Sequence, residues 1–227
     1  MGELHLDVVR QKLARDHRVE THAGAPEIAF RETITRAAEI DHLLKKQTGG
    51  SGMYARVVLR VEPAEPGTGN SVEMLVTGGN IPAPFLNAVH HGIHDVLAGG
   101  VLRGSPVVDV RVSVLDGAAH VKDSNDLAFR MAAAEGMREA LRAAGSILLE
   151  PVMAVEVSVP EEHQGDILGD LTKRRGRILS LDAGPSGPLV HAEAPLAEMF
   201  GYANAIRSLS KGRASYSMRP ARFERSK

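Results

Sequence analysis

The chain has 227 residues, 43% apolar and only 4% aromatic, with no Trp and no Cys. It can bury a substantial core of Val, Leu, Ile, Ala and Met but can form neither a disulfide nor a thiolate metal site, a composition that fits the cytosol. No apolar run approaches the roughly 18 residues of a membrane helix, and the N-terminal residues do not read as a signal peptide. The formal net charge of −1 conceals an asymmetry: from Asp170 onward 11 Lys/Arg stand against 5 Asp/Glu, so the C-terminal quarter is basic and suits either RNA or plain solvent.

In chain order, residues 1–25 predict a helix, with Leu4, Val8 or Val9, and Leu13 near helical spacing, followed by a short strand at "RVETH". A helix and a strand cannot bury a core alone, so this segment reads as the end of a domain whose beginning is missing. Residues 21–26, "THAGAP", punctuate the pattern as a linker.

Residues 26–146 read as strand, Gly-rich loop, strand, strand, helix, strand, helix. In "KKQTGGSGMYARVVLRV" (45–61), Ala55, Val57, Leu59 and Val61 share one strand face, while Tyr54, Arg56, Arg60 and Glu62 fall mainly on the other. The glycines ahead of it suit a hairpin turn or, beside Lys45 and Lys46, close approach of bare amides to phosphate. A nucleotide-binding phosphate loop is excluded, because that pattern needs Gly-Lys-Ser/Thr and a following helix. "FLNAVHHGIHDVLAGG" places Leu86, Val89, Ile93, Val96 and Leu97 on one helical face and ends in capping glycines. "VVDVRVSVLDG" alternates as a strand with Val108, Val110, Val112 and Val114 inward. Asp123 or Ser124 can then N-cap a helix whose stripe is Leu127, Met131, Ala134 and Leu141. The result is an α+β domain whose sheet has one wet face.

Residues 147–227 repeat a compact plan: strand "ILLEPVMAVEVSV", helix "EEHQGDILGDLTKRRG", a strand pair around "DAGPSGP", helix "AEMFGYANAIRSLSKG" and strand "RASYSMRPARF". This β-α-β-β-α-β order is ferredoxin-like. Stripes at Ile167, Leu168 and Leu171, and at Met199, Phe200, Ala203 and Ile206, place both helices on one sheet face. Lys173, Arg174, Arg175, Lys211 and Arg213 sit near helix C-termini, where they complement the helix dipole.

Catalytic signals are weak. His90, His91 and His94 invite a metal, but no Glu follows in the metalloprotease manner and no ligating carboxylate has the right spacing. Glu161 and Glu162 suit a helix start, and neither a nucleophile elbow nor a triad order emerges. What stands out is a pair of polar tips, 45–53 and 120–125, which would present Lys45, Lys46, His120 and Lys122 together if they extend from one end of the domain.

Several strings carry a resemblance to a known family. "MGELHLDVV" resembles the close of the third domain of elongation factor G, a translational GTPase that moves tRNA and mRNA on the ribosome. "KKQTGGSG", "GGNIPAPFLNAV", "GSPVVDVRV" and "DSNDLAF" resemble its fourth domain. "LLEPVMAVEV", "GDILGDLTKRRG" and "PLAEMFGYANAIRSLSKGRASYSM" resemble its fifth. The resemblance implies a middle α/β domain like a small-subunit ribosomal protein, with a left-handed βαβ crossover against the general handedness rule, followed by the ferredoxin-like domain.

It also implies that the tips enter the decoding site, with tRNA, mRNA or small-subunit RNA meeting Lys45, Lys46, Gln47, Thr48, Gly49, Gly50, Ser51, Gly52, His120, Lys122, Asp123 and Ser124. Large-subunit RNA would meet Lys173, Arg174, Arg175, Phe200, Tyr202, Lys211 and Arg213. The implied partners are the ribosome, tRNA, mRNA and GTPase domains missing from this chain. The fragment itself would be a cytoplasmic monomer without catalysis, cofactor or metal, and GTP and Mg would belong to a full-length parent.

The chain departs from the family pattern at Ser51 (usually Arg) and Met53 (usually Gln), and in "AHVKDSND", where Tyr-His-Asp/Glu-Val-Asp-Ser-Ser-Glu is usual. These changes raise a recycling or conditional paralogue as the alternative. From other classes come a drug-dislodging ribosome-protection factor and a metal-dependent enzyme using His90 and His94.

Overall fold

The computed structural model describes residues 3–21, 27–46, 52–184 and 187–226, with backbone alone for 3–7. Two compact units form, residues 30–149 with 225–227, and residues 1–29 with 150–224. Helix α1 (Glu3–His17) forms where the spacing predicts it, but Val8 and Val9 are exposed. The expected strand at "RVETH" is absent from residues 18–21. Arg18 takes a left-handed φ of 54° and the Val19 N–H turns back to the Leu13 carbonyl at 3.2 Å, which ends the extended run before it can pair. His22 lies outside the described residues.

In the unit of residues 30–149, the first predicted strand is two strands, β1 (Arg31–Ile34) and β2 (Ala38–Lys46). Thr35 breaks the run, its hydroxyl donating to the carbonyls of Ala144 and Gly145 at 3.3 and 3.1 Å. Strand β3 (Met53–Pro63) lies antiparallel to β2 on one side and to β5 (Val110–Ala118) on the other. Strand β4 (Ser71–Met74) runs parallel beside β5, and helix α2 (Ala83–Gly99) connects the two. The alternation read from the sequence is realised at Ala55, Val57, Leu59, Val61, Val110, Val112 and Val114, all fully buried, but Val108, also expected inward, precedes β5 and is only partly buried, because Asp109 breaks the extended run with a φ of 58°. Strand β1 pairs antiparallel with residues 146–149, the start of β6 (Ser146–Ser158).

Helix α3 (Asp126–Ala143) packs on α2, β2 and β3, but its buried face is displaced from the predicted stripe. Asn125, not Asp123 or Ser124, is the N-cap, its side chain accepting from the Ala128 N–H at 2.8 Å. Ala128, Phe129, Ala132, Ala133, Gly136, Met137, Ala140 and Leu141 face inward, while Leu127 is exposed. Small residues set this face because the helices approach closely: a Cβ on Gly92 of α2 would lie 2.3 Å from the Arg130 carbonyl oxygen.

A buried charge closes the unit. Glu32 on β1 is 1% exposed, and its carboxylate accepts from the N–H groups of Val101 (2.7 Å), Leu102 (3.1 Å), Arg103 (2.9 Å) and Ser105 (3.4 Å). The loop after α2 is wrapped around one anion, which replaces the hydration that burial removes.

The unit ending at residue 224 has the predicted ferredoxin-like plan. Strand β6 lies between β8 (Gly187–Pro195) and β9 (Ser215–Arg225), and β8 also pairs with β7 (Arg177–Gly184). Helix α4 (Glu161–Lys173) buries Ile167 and Leu171. The second predicted helix is broken into a 3-10 turn, Leu196–Met199, and helix α5 (Tyr202–Leu209). Gly201, with φ 73°, makes the break. It rotates the later turns so that Tyr202 and Ile206, four residues apart, enter the core while Phe200 stays on the surface.

Tyr202 is therefore a core residue, against its expected RNA contact. Its ring meets Tyr216 edge-on at 5.0 Å and carries the Arg174 guanidinium 5.2 Å from its centroid. Burial pushes the phenol well above its ordinary range, and its hydroxyl has no hydrogen-bond partner among the described residues. On the same unit Arg222 and then Arg177 hold the Glu193 carboxylate down to about 2.

This packing sets the expected response to three substitutions. Glu32→Gln places an amide donor against the loop N–H groups and should lower unfolding stability by about 2–3 kcal/mol; an unchanged urea midpoint would deny the cradle its role. Tyr202→Phe removes the unpartnered hydroxyl and should gain about 1 kcal/mol, with a loss showing that the hydroxyl is satisfied in solution. The depressed Glu193 contributes stability that is complete above the ordinary carboxylate value of 4.5 and lost as pH falls toward about 2. Glu193→Gln should accordingly flatten that part of the stability profile, and parallel acid limbs for the two proteins would rule the contribution out.

Candidate nucleic-acid interface

One end of the first unit is built from two segments distant in sequence. Strands β2 and β3 bring Lys45 opposite Tyr54 and Lys46 opposite Met53 in the ladder. The loop 119–125 leaves β5 and enters α3. Arg56 fastens the three strands on the open sheet face. Its guanidinium grips Asp41 on β2 with two hydrogen bonds, 2.8 and 2.6 Å, and reaches Asp116 on β5 at 3.2 Å. Asn80, at 2.7 Å from Asp116, and then the Gly117 amide and Arg56 hold that carboxyl below its ordinary range.

The two segments are joined directly. Gly52 N–H donates to Asp123 Oδ1 at 3.2 Å and Tyr54 N–H to the Asp123 carbonyl at 2.8 Å. The Ser124 hydroxyl donates to the Tyr54 carbonyl at 2.6 Å and accepts from the His120 N–H at 2.8 Å. His120 Nδ1 lies 2.9 Å from Asp123 Oδ2, and its ring is 6.0 Å from that of Tyr54. Gly52 and the start of β3 are thus held against the loop 119–125 by a continuous network of hydrogen bonds.

Lys45, Lys46 and Lys122 are exposed; Lys46 Nζ is 3.7 Å from Glu135 on α3, which also meets His42 Nε2 at 3.3 Å. Gln47, Thr48, Gly49, Gly50 and Ser51 lie outside the described residues. Sequence reasoning missed Tyr54 as the anchor of the second loop and missed Asn125 as the cap, although an Asn directly before "DLAF" is an N-cap signal.

The second group of expected contacts is dispersed in its engagements. Arg174 bonds Asp170 at 2.8 Å and the Glu198 and Phe200 carbonyls. Arg175 bonds the buried Glu150 at 2.7 Å, and Arg213 donates to Glu162 and, at 2.7 Å, to His163 Nε2. Lys173 and Lys211 are exposed, and Phe200 is partly so. Of these expected contacts the two lysines and Arg213 are exposed and Phe200 partly so, while the arginines each also bond within the unit.

The histidines of α2 stay paired with each other. His90 and His94 face at 3.1 Å between Nε2 atoms, and burial, then His94 and His91, lower the His90 pKa. Among the described residues no group of three or more His, Cys, Asp or Glu side chains could hold a metal.

Comparison with known proteins matches this architecture. Residues 26–145 match the family model "Elongation factor G, domain IV", and residues 147–227 match "Elongation factor G C-terminus". Elongation factor G of Paracoccus denitrificans is 50% identical over 99% of this chain, and that of Cereibacter sphaeroides is 50% identical over 96%. A crystal structure from Thermus thermophilus covers 99% of the chain at 39% identity with a TM-score of 0.86, the chain covering 34% of it. The chain spans about a third of the length of the curated relatives it matches. With both domain models matched in order and the ferredoxin-like plan following the four-stranded unit, the chain belongs to the elongation factor G family.

Proposed function

We propose that this chain is the ribosome-engaging C-terminal part of a translational GTPase that promotes movement of tRNA and mRNA. Residues 1–25 would close the preceding domain, residues 26–146 would form the part that enters the small-subunit decoding region, and residues 147–227 would face large-subunit RNA. The observation that carries this reading is the bonded junction of the loop 119–125 with Gly52 and the start of β3, which puts Lys45 and Lys46 on the same end as the loop carrying Lys122. Cations fixed in this way contact phosphate and set register without reading sequence.

Bond chemistry would lie elsewhere. GTP and Mg belong to the parent's nucleotide-binding domains, and this part works by differential binding to two states of the ribosome. A cytoplasmic location follows from that partner, and among the described residues no helix is long and apolar enough to cross a membrane. A recycling or conditional paralogue is the second reading, favoured by Val121 and Lys122, which stand where the family pattern has an acid and a valine.

Toeprinting of the parent factor on pre-translocation ribosomes with GTP tests the first reading: the mRNA should advance by one codon. No advance, with ribosome-stimulated GTP hydrolysis retained, would favour recycling, to be measured by subunit splitting. In the same assay the triple variant Lys45→Glu, Lys46→Glu, Lys122→Glu should slow movement about tenfold or more, equivalent to about 1.4 kcal/mol of lost stabilisation, with its melting temperature unchanged. Wild-type rates of both translocation and recycling in that variant would remove the tip from the mechanism.

A further inference from the structure

Helix α2 carries three histidines whose placement is decided by its buried face. Val89, Gly92, Ile93, Val96 and Leu97 are buried, which fixes the rotation of the helix and leaves His90 partly buried and His91 and His94 exposed. His90 and His94 are one turn apart, with their Nε2 atoms 3.1 Å from each other and their ring centroids 4.2 Å apart. His91 diverges from the pair: its ring stands edge-on to His90 at 6.4 Å and lines a groove with Asn87, Asp126 and Arg130. Asp95, the residue after His94, is taken by Arg130 at 2.8 Å.

We propose that His90 and His94 form a surface chelate for one transition-metal ion of the zinc, nickel or copper class, held through both Nε2 atoms. An ion about 2.0–2.1 Å from each imidazole nitrogen would see two nitrogens 3.1 Å apart at an angle of about 100°, between the octahedral and tetrahedral values. The metal-free contact is a hydrogen bond in which one Nε2–H donates to the other ring's lone pair. When the ion enters, that proton passes to Nδ1 of its own ring, both rings stay neutral, and both Nε2 lone pairs become ligands. The hydrogen bond therefore holds the rings where the ion needs them, so little side-chain entropy is lost on binding. Among the described residues no third His, Cys, Asp or Glu completes the group, so water fills the remaining positions and binding is reversible, unlike the closed sphere of structural zinc. Magnesium and calcium, which take oxygen donors, do not suit the pair.

The test titrates the whole chain with Zn²⁺, using Mg²⁺ as the control, and follows binding heat by calorimetry and the imidazole resonances of the ten histidines by NMR. The tightest Zn²⁺ should bind at one equivalent, move the His90 and His94 rings ahead of the other histidines, and raise the melting temperature as free Zn²⁺ rises. Mg²⁺ at the same concentration should leave both rings unmoved. His90→Ala and His94→Ala should each weaken Zn²⁺ binding by about tenfold or more, because the second ligand of a chelate binds intramolecularly. His94→Gln, on the exposed side of the helix, should do the same with the metal-free melting temperature kept, whereas His91→Ala should leave the affinity unchanged.

Wild-type Zn²⁺ affinity in the His90 and His94 variants would overturn the site, and so would tighter binding at another histidine. Unmoved His90 and His94 rings in excess Zn²⁺ would overturn it directly.

Discussion

The hydroxyl of Ser124 joins the loop 119–125 to strand β3 across 70 residues of sequence. It donates to the Tyr54 carbonyl of β3 and accepts from the His120 N–H of its own loop, so the loop cannot shift from the strand without losing a bond worth about 1 kcal/mol and stranding its partner. The Asp123 contacts act in parallel, which makes the junction cooperative. Below it, Arg56 binds β2 to β5 across β3, so the loop 119–125 is anchored on strands that are themselves tied together. The tip is thereby a continuation of the core and not an appendage to it.

The same need for a bonded partner governs the other buried charges. Glu32 could not be sunk among apolar side chains as a free carboxylate, because desolvation would cost several kcal/mol. It is tolerated because four backbone N–H groups of one loop converge on it, and those donors would otherwise need water. In the C-terminal unit arginines take the equivalent role. Arg175 satisfies the buried Glu150 and Arg222 satisfies Glu193. The basic excess of that sequence region is thus partly taken up by folding, and what reaches solvent as free-standing charge is smaller than the count of 11 cations suggests.

The sheet was legible in the sequence because a period of two leaves little choice: once Val57, Leu59 and Val61 face inward, Arg56 and Arg60 cannot. The ferredoxin-like plan was legible for a similar reason, since its two helical stripes and its alternating strands recur in one order. The face of α3 was not, because Ala132, Ala133 and Gly136 become core residues only when another helix comes close enough to cover them, and Leu127 outweighs them in any reading by side-chain hydrophobicity. The break before α5 was hidden because apolar residues continue through Gly201 at near-helical spacing. Glu32 carries no local signal at all, its partners lying 69 to 73 residues away.

At this end of the unit, two of the segments named from the sequence are bonded to each other, and several of their polar side chains bond within the protein while remaining partly exposed. Polar residues on a loop are natural candidates for contact, but in a loop this short the same polar groups are the nearest means of satisfying the turn's own backbone. His120, Asp123 and Ser124 are used in that way, whereas the side chains of Val121 and Lys122 are left exposed. A loop ordered by its own bonds before any contact would lose little ordering entropy on meeting a partner.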